Sequence, residues 1–129
     1  MALLTREQIQ QHIPFEMVEV DVSELDSSQE RAAGERTTVF VREMNARERD
    51  AYEASLTLGE GKNAKVDYTN FRAKLAAATC CDADGNLIFL PEDVEWLAQK
   101  PAHVINRIFD VARKLNGITD DTEEETVKN

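Results

Sequence analysis

Thr37-Thr38-Val39-Phe40-Val41-Arg42-Glu43-Met44-Asn45-Ala46-Arg47-Glu48 changes its grammar in the middle. Its first half is rich in β-branched residues and reads as a strand over 37–43. Its second half turns on Asn45, whose side chain can accept hydrogen bonds from the first turn of a helix. Glu48 stands three positions later, where it can reach back to complete a capping box. The helix is expected to run through Arg49, Asp50, Tyr52 and Ala54 to about Leu58, and Gly59 with Gly61 breaks it.

Towards the N-terminus, Glu16-Met17-Val18-Glu19-Val20-Asp21-Val22 alternates, with Val18, Val20 and Val22 on one side and Glu19 and Asp21 on the other. That is the pattern of a half-buried strand. Residues 23–36 are polar and aperiodic and are expected to form a long mobile loop. Two strands separated by a loop pair most simply as an antiparallel hairpin, whose apolar face must pack on helices to be stable in water. Ahead of them, residues 5–13 read as a short helix with Thr5 as N-cap, Ile9 and Ile13 four apart, and Pro14 as its stop.

Towards the C-terminus, a helix is expected over 68–80, with Phe71, Leu75, Ala78 and Thr79 on one face. Asp82-Ala83-Asp84-Gly85-Asn86 is a turn, and Leu87-Ile88-Phe89-Leu90 is either a strand or a buried connector. Pro91-Glu92-Asp93 opens a helix carrying Val94, Trp96 and Leu97 as far as Lys100, with proline and acids in the first turn. After Pro101 comes the most amphipathic helix, 102–116. Val104, Ile105, Ile108, Phe109, Ala112 and Leu115 recur at three and four, and Gly117 is its C-cap. Ile105, Ile108, Phe109 and Leu115 are the expected core, with Leu75 and Leu97 as neighbours. The chain is thus expected to be α+β and mainly α-helical, with an N-terminal antiparallel β-hairpin packed on about four helices. Residues 1–118 form a single globular domain in this reading, and 119–129 form an acidic flexible tail.

Composition bounds the function. The 129 residues carry 25 acidic and 15 basic side chains, a net charge of −10, which disfavours nucleic acid and anionic membrane surfaces as partners. No run approaches the roughly 18 apolar residues of a membrane span. The first residues lack a secretory pattern, so a cytoplasmic protein is expected. Cys80 and Cys81 are adjacent, a spacing that strains a disulfide and suits no metal site, and they read as two reduced thiols at the end of a packed helix.

Few groups could do chemistry. Asp82, Asp84 and Asn86 beside Gly85 resemble part of a calcium loop, but placing Gly85 sixth puts Cys80 first and Pro91 twelfth, where oxygen ligands are required. The stretch reads as a solvated turn, with a metal-dependent enzyme using Asp82 and Asp84 as the catalytic alternative. His12 and His103 have no nucleophile suggested by spacing and read as capping or surface histidines. No catalytic, cofactor-binding or metal-ligating residue is assigned, and the chain is read as a non-enzyme. The helices at 91–100 and 102–116 have apolar faces, with Trp96 one residue off the Val94/Leu97 stripe. Such faces can build a core or receive a partner helix.

Three stretches together resemble the tail assembly chaperone family of long-tailed phages and prophages. They are the strand and helix Val39-Phe40-Val41-Arg42-Glu43 through Glu48-Arg49-Asp50; the helix and turn Asn70-Phe71-Arg72 through Asp82-Ala83-Asp84-Gly85; and Pro91-Glu92-Asp93-Val94-Glu95-Trp96-Leu97 with Ile108 through Leu115-Asn116-Gly117. The resemblance covers about 39–117 and lies in the order of the elements. It implies a chaperone of virion assembly in the host cytoplasm, absent from the mature virion, made late. Its partners would be the tape measure protein, which it keeps soluble, and the tail tube protein, whose subunits it helps recruit; self-association stays open. It also implies a longer frameshifted product in many members, and Val127-Lys128-Asn129 can be encoded with a slippery A AAA AAC run. The alternative is a small regulatory or adaptor protein of a mobile element acting through helix-in-groove binding.

Overall fold

The computed structural model describes residues 1–12, 15–27 and 34–119. The expected tail from 120 onward, residues 28–33 of the expected mobile loop, and the Ile13-Pro14 end of the first helix lie outside the described residues. Helix α1 spans Arg6–Gln11, β1 Met17–Asp21, β2 Thr38–Arg42, α2 Ala46–Ser55, β3 Thr57–Leu58, β4 Lys65–Val66, α3 Phe71–Thr79, β5 Cys80–Cys81, α4 Val94–Leu97 and α5 Ala102–Leu115. This is an α+β fold in which β1 and β2 form the N-terminal antiparallel hairpin.

The hairpin pairs Met17 with Arg42 and Asp21 with Thr38, a register that turns Val20, Val22 and Val41 inward. Val18, expected on the same face, is 38% exposed on the edge strand β1, although its register partner Val41 on the central strand is fully buried. A third strand, β5, joins β2 on its other side through Phe40–Cys81 and Val41–Cys80. Cys80 is thus the C-cap of α3, at the expected helix end, and with Cys81 it also forms a strand. Both are buried and free. Burial pushes the Cys80 thiol up to about 12, so it stays protonated and inert.

Ten residues of α2 start from the expected box: Asn45 accepts from Glu48 N–H and Glu48 returns to Asn45 N–H. The helix ends at Ser55, short of the expected Leu58, because Thr57–Leu58 pairs with Lys65–Val66 around the glycine turn. Gly59, at φ +87, sits where an added Cβ would lie 3.2 Å from the Asn63 carbonyl oxygen. Helix α3 begins three residues later than expected, after Asn70 in the left-handed region at φ 55. The expected helix 91–100 divides into a 3₁₀ turn at Pro91–Asp93, the short α4, and a closing turn in which Lys100 N–H reaches the Leu97 carbonyl. Leu87-Ile88-Phe89-Leu90 is a connector, held to β5 by Ile88 N–H on the Cys80 carbonyl and a single bridge from Leu87 to Cys81.

Helix α5 is the spine of the core. Val104, Ile108, Phe109 and Ala112 pack with Leu75 and Ala76 of α3, Tyr52 and Leu56 of the α2 segment, and the inward valines. Ile105 faces a smaller cluster with Ala73, Ala77 and Leu97. Leu115 packs against this cluster but is only half-buried, less covered than expected. Each fully buried aliphatic or aromatic side chain contributes about 1.5–3 kcal/mol.

Polar ties set how these layers meet. Arg107 of α5 donates to the Asp21 carbonyl oxygen at 2.6 Å and bidentately to Glu24 at 2.6 and 3.0 Å, so the start of the expected loop is a pinned 3₁₀ turn at Ser23–Leu25. Asn116 Oδ1 accepts from Met44 N–H at 2.8 Å, and the Asn116 carbonyl accepts from Arg49 at 2.8 Å, which closes the end of α5 onto the β2–α2 junction. Arg42 is 5% exposed and is clamped by Glu48 through two hydrogen bonds of 2.8 Å.

Removing one partner of a mostly buried pair strands the other charge, so Glu48→Ala is expected to cost about 3–5 kcal/mol in urea unfolding. A loss under about 1 kcal/mol would show that water replaces the carboxylate at Arg42. Acid should act through the same kind of contact. The hydrogen bonds from Arg107 hold the Glu24 carboxyl down to about 2, and those from Arg42 hold Glu48 below its ordinary value. Depressed carboxylates add stability that is present above the unfolded value of about 4.3 and lost as pH falls through the folded value. The urea midpoint should therefore decline between about pH 4.3 and 2. Glu24→Gln should make that decline shallower, and an unchanged slope would contradict the assignment.

Candidate docking groove

Helices α2 and α3 lie side by side with the 87–95 segment across them, and they leave an open groove of about 400 Å³. Small side chains make the space: Ala51 on α2, and Ala77 and Ala78 on α3. Tyr52, Leu87, Phe89 and Val94 supply apolar walls. Phe89 is held half-buried by the edge of the Trp96 ring, with centroids 5.7 Å apart. Trp96 is itself fixed by its Nε1–H on Asp93 Oδ1 at 3.0 Å, and Asp93 also caps the turn by accepting from Leu90 N–H.

Charges at the groove are mostly committed elsewhere. Lys74 Nζ donates to the Ser55 carbonyl at 2.7 Å, and Glu48 is held by Arg42, which leaves Glu95 on the rim. Outside the walls the apolar surface continues. Of the quartet 87–90 only Phe89 is tucked in, while Ile88 is 45% and Leu90 58% exposed, beside Trp96 at 45%. Exposed apolar side chains next to an open apolar groove are a surface of the kind that can receive the apolar face of a helix. Sequence periodicity pointed to the 91–100 and 102–116 faces. The second of these is spent on the core, and the groove comes from 87–95 with the alanines of α2 and α3.

The residues weighed for chemistry are scattered. Asp82 Oδ1 accepts from the N–H groups of Asp84 and Asn86 at 2.9 and 3.0 Å, and Asp82 N–H donates to the Asn86 carbonyl, so the turn satisfies itself. Those hydrogen bonds hold the Asp82 carboxyl below the usual range. His103 Nε2 lies 3.6 Å from Glu24 Oε2 on the surface, and His12 is the exposed C-cap of α1. Among the described residues no three His, Cys, Asp or Glu side chains converge as metal ligands. No described helix is long and apolar enough to cross a membrane.

No protein-family model matches this chain, and no curated protein matches it in sequence. Among solved structures, the bacteriophage HK97 tail assembly chaperone is similar, with a TM-score of 0.54 and 18% identity over 88% of this chain and 95% of that one. The two share a fold.

Because the Asp82 turn uses its own oxygens internally, calorimetric titration with calcium or zinc should give no stoichiometric heat. Tight binding that disappears in Asp82→Asn would overturn this.

Proposed function

We propose that this chain is a non-enzymatic phage tail assembly chaperone. In this reading 1–118 is one globular unit carrying the groove, and the acidic stretch after it is not needed for partner binding. The groove holds an amphipathic helix of the tape measure protein, masks that helix's apolar face and so keeps it soluble. Tail tube subunits are recruited around the complex, and the chaperone leaves before the virion matures, remaining in the host cytoplasm. The observation that carries the reading is the unfilled groove of Ala51, Ala77 and Ala78 beside the exposed 87–90 lip, in a fold shared with a tail assembly chaperone. Helix-in-groove binding needs this combination: small residues to admit a helix, aromatic walls to grip its anchors, and high net charge to keep the complex soluble.

Co-expression with the long helical tail protein encoded beside it should yield a soluble complex that survives removal of 120–129. Ala51→Glu with Ala78→Glu places two charges in the groove on helix positions that tolerate glutamate. This pair should weaken the complex at least about tenfold, or about 1.4 kcal/mol. A tape measure protein that is equally soluble alone would return the groove to a regulator or adaptor of a mobile element.

A further inference from the structure

Residues 1–12 form an arm that finds no cover in its own molecule. Every one of them is exposed, with Leu3 at 81%, Leu4 at 70% and Ile9 at 61%. The arm is nevertheless built to be helical. Thr5 Oγ1 accepts from Gln8 N–H at 3.2 Å and Gln8 Oε1 accepts from Thr5 N–H at 2.9 Å, a complete capping box at the start of α1. Leu4 precedes the cap and Ile9 is the fourth helical residue, the two positions of a hydrophobic staple, which sets both on one side of the helix start. Six helical residues without a buried side chain are marginal in water, since short helices owe their stability to a covered apolar face.

The groove between α2, α3 and the 87–95 segment has the opposite need. Its apolar walls stand open, and none of residues 1–12 lines it in the same molecule. Each molecule therefore presents one uncovered apolar arm and one uncovered apolar groove, always in equal number. Charge favours their meeting between molecules. The arm's only acid and only base, Glu7 and Arg6, lie 3.6 Å apart and cancel, so the net charge of −10 resides entirely outside it. The arm is thus a segment that one acidic molecule can extend toward another without like-charge repulsion. The groove suits a neutral guest, because Lys74 and Glu48 are held by Ser55 and Arg42 and apolar area is the main attraction left.

We infer that the arm of one molecule docks through Leu3, Leu4 and Ile9 in the groove of a second copy of this chain, and covers it until a longer amphipathic helix takes its place. The inference rests on the groove being a helix site, as proposed above. A standard interface takes about 800 Å² and roughly 20–30 residues from each partner. The arm supplies less, so the contact is weak and exchangeable.

Mixing two preparations of the full chain tests this. One is isotope-labelled, and the other carries a nitroxide on Gln10→Cys, with Cys80 and Cys81 buried and unmodified. Amide signals of 51–55, 77–78 and 87–94 on the isotope-labelled molecules should lose most of their intensity as the nitroxide molecules are added in excess. Leu4→Glu/Ile9→Glu in the nitroxide molecules should abolish the loss without disturbing their fold, since both side chains are exposed. Ala51→Glu/Ala78→Glu in the isotope-labelled molecules should abolish it too. About 1 M salt, where the Debye length is about 3 Å, should deepen the loss by screening the repulsion between acidic molecules. No loss, loss spread over the whole surface, or loss centred on the β1 edge would overturn the inference. So would a loss that fades in high salt, which would make the contact ionic. These signals are read with no client present, so the two readings fail separately. A client complex weakened by the Ala51/Ala78 pair while the arm leaves no mark sinks this inference alone, and a client complex indifferent to that pair sinks the functional reading.

Discussion

A guanidinium almost out of water constrains the rest of this fold. Arg42 can remain buried only if its donors and its charge are answered, since an unpaired buried charge costs several kcal/mol. Glu48 answers the charge through two hydrogen bonds, the Gly85 carbonyl accepts from Nε at 2.9 Å, and the Glu43 carbonyl accepts at 2.7 Å. The Phe15 ring covers the outer face at 4.4 Å. One side chain of β2 therefore fixes the first turn of α2, the 82–86 turn and the approach to β1. Gly85 can present its carbonyl there because its φ of +85 is open to glycine.

Asn116 completes the frame from the other side. By receiving Met44 N–H and offering its carbonyl to Arg49, it ties the end of α5 to the junction that Arg42 organises. The angle of α2 is thus set by polar contacts at its first turns, and Tyr52 and Leu56 follow it into the core. On the side turned away from α5, α2 and α3 meet through alanines, which do not fill the space between them. The open groove follows from a frame fixed by hydrogen bonds and an interface built from small side chains.

Charge is distributed to the same effect. Acidic side chains outnumber basic ones, while the ion pairs of Arg42, Arg49 and Arg107 gather arginine where the layers meet, with only Arg42 buried. An apolar groove with few free charges at its rim selects a partner by shape and hydrophobic area.

Sequence alone determined the elements whose signals are local. The Asn45–Glu48 capping box, the alternation of β1, the β-branched run of β2 and the apolar face of α5 were all legible, because each rests on signals within a few residues. The order of the elements also carried the resemblance to a tail assembly chaperone. Three things were decided only by the tertiary structure. The early end of α2 reflects Thr57–Leu58 finding a partner strand, which outweighed the helical pattern. The cysteine pair became a strand because β2 offered it a free edge. Arg42 and Glu48 became the centre of the fold although a charged residue in a strand and a capping glutamate each look ordinary alone. The groove was illegible for a similar reason. Leu87-Ile88-Phe89-Leu90 reads as a strand or a buried connector, the alanines of α2 and α3 carry no signal of a groove, and only the packing shows that Leu87, Ile88 and Leu90 stay exposed. Periodicity tells which residues seek cover, while the three-dimensional path of the chain decides which of them find it.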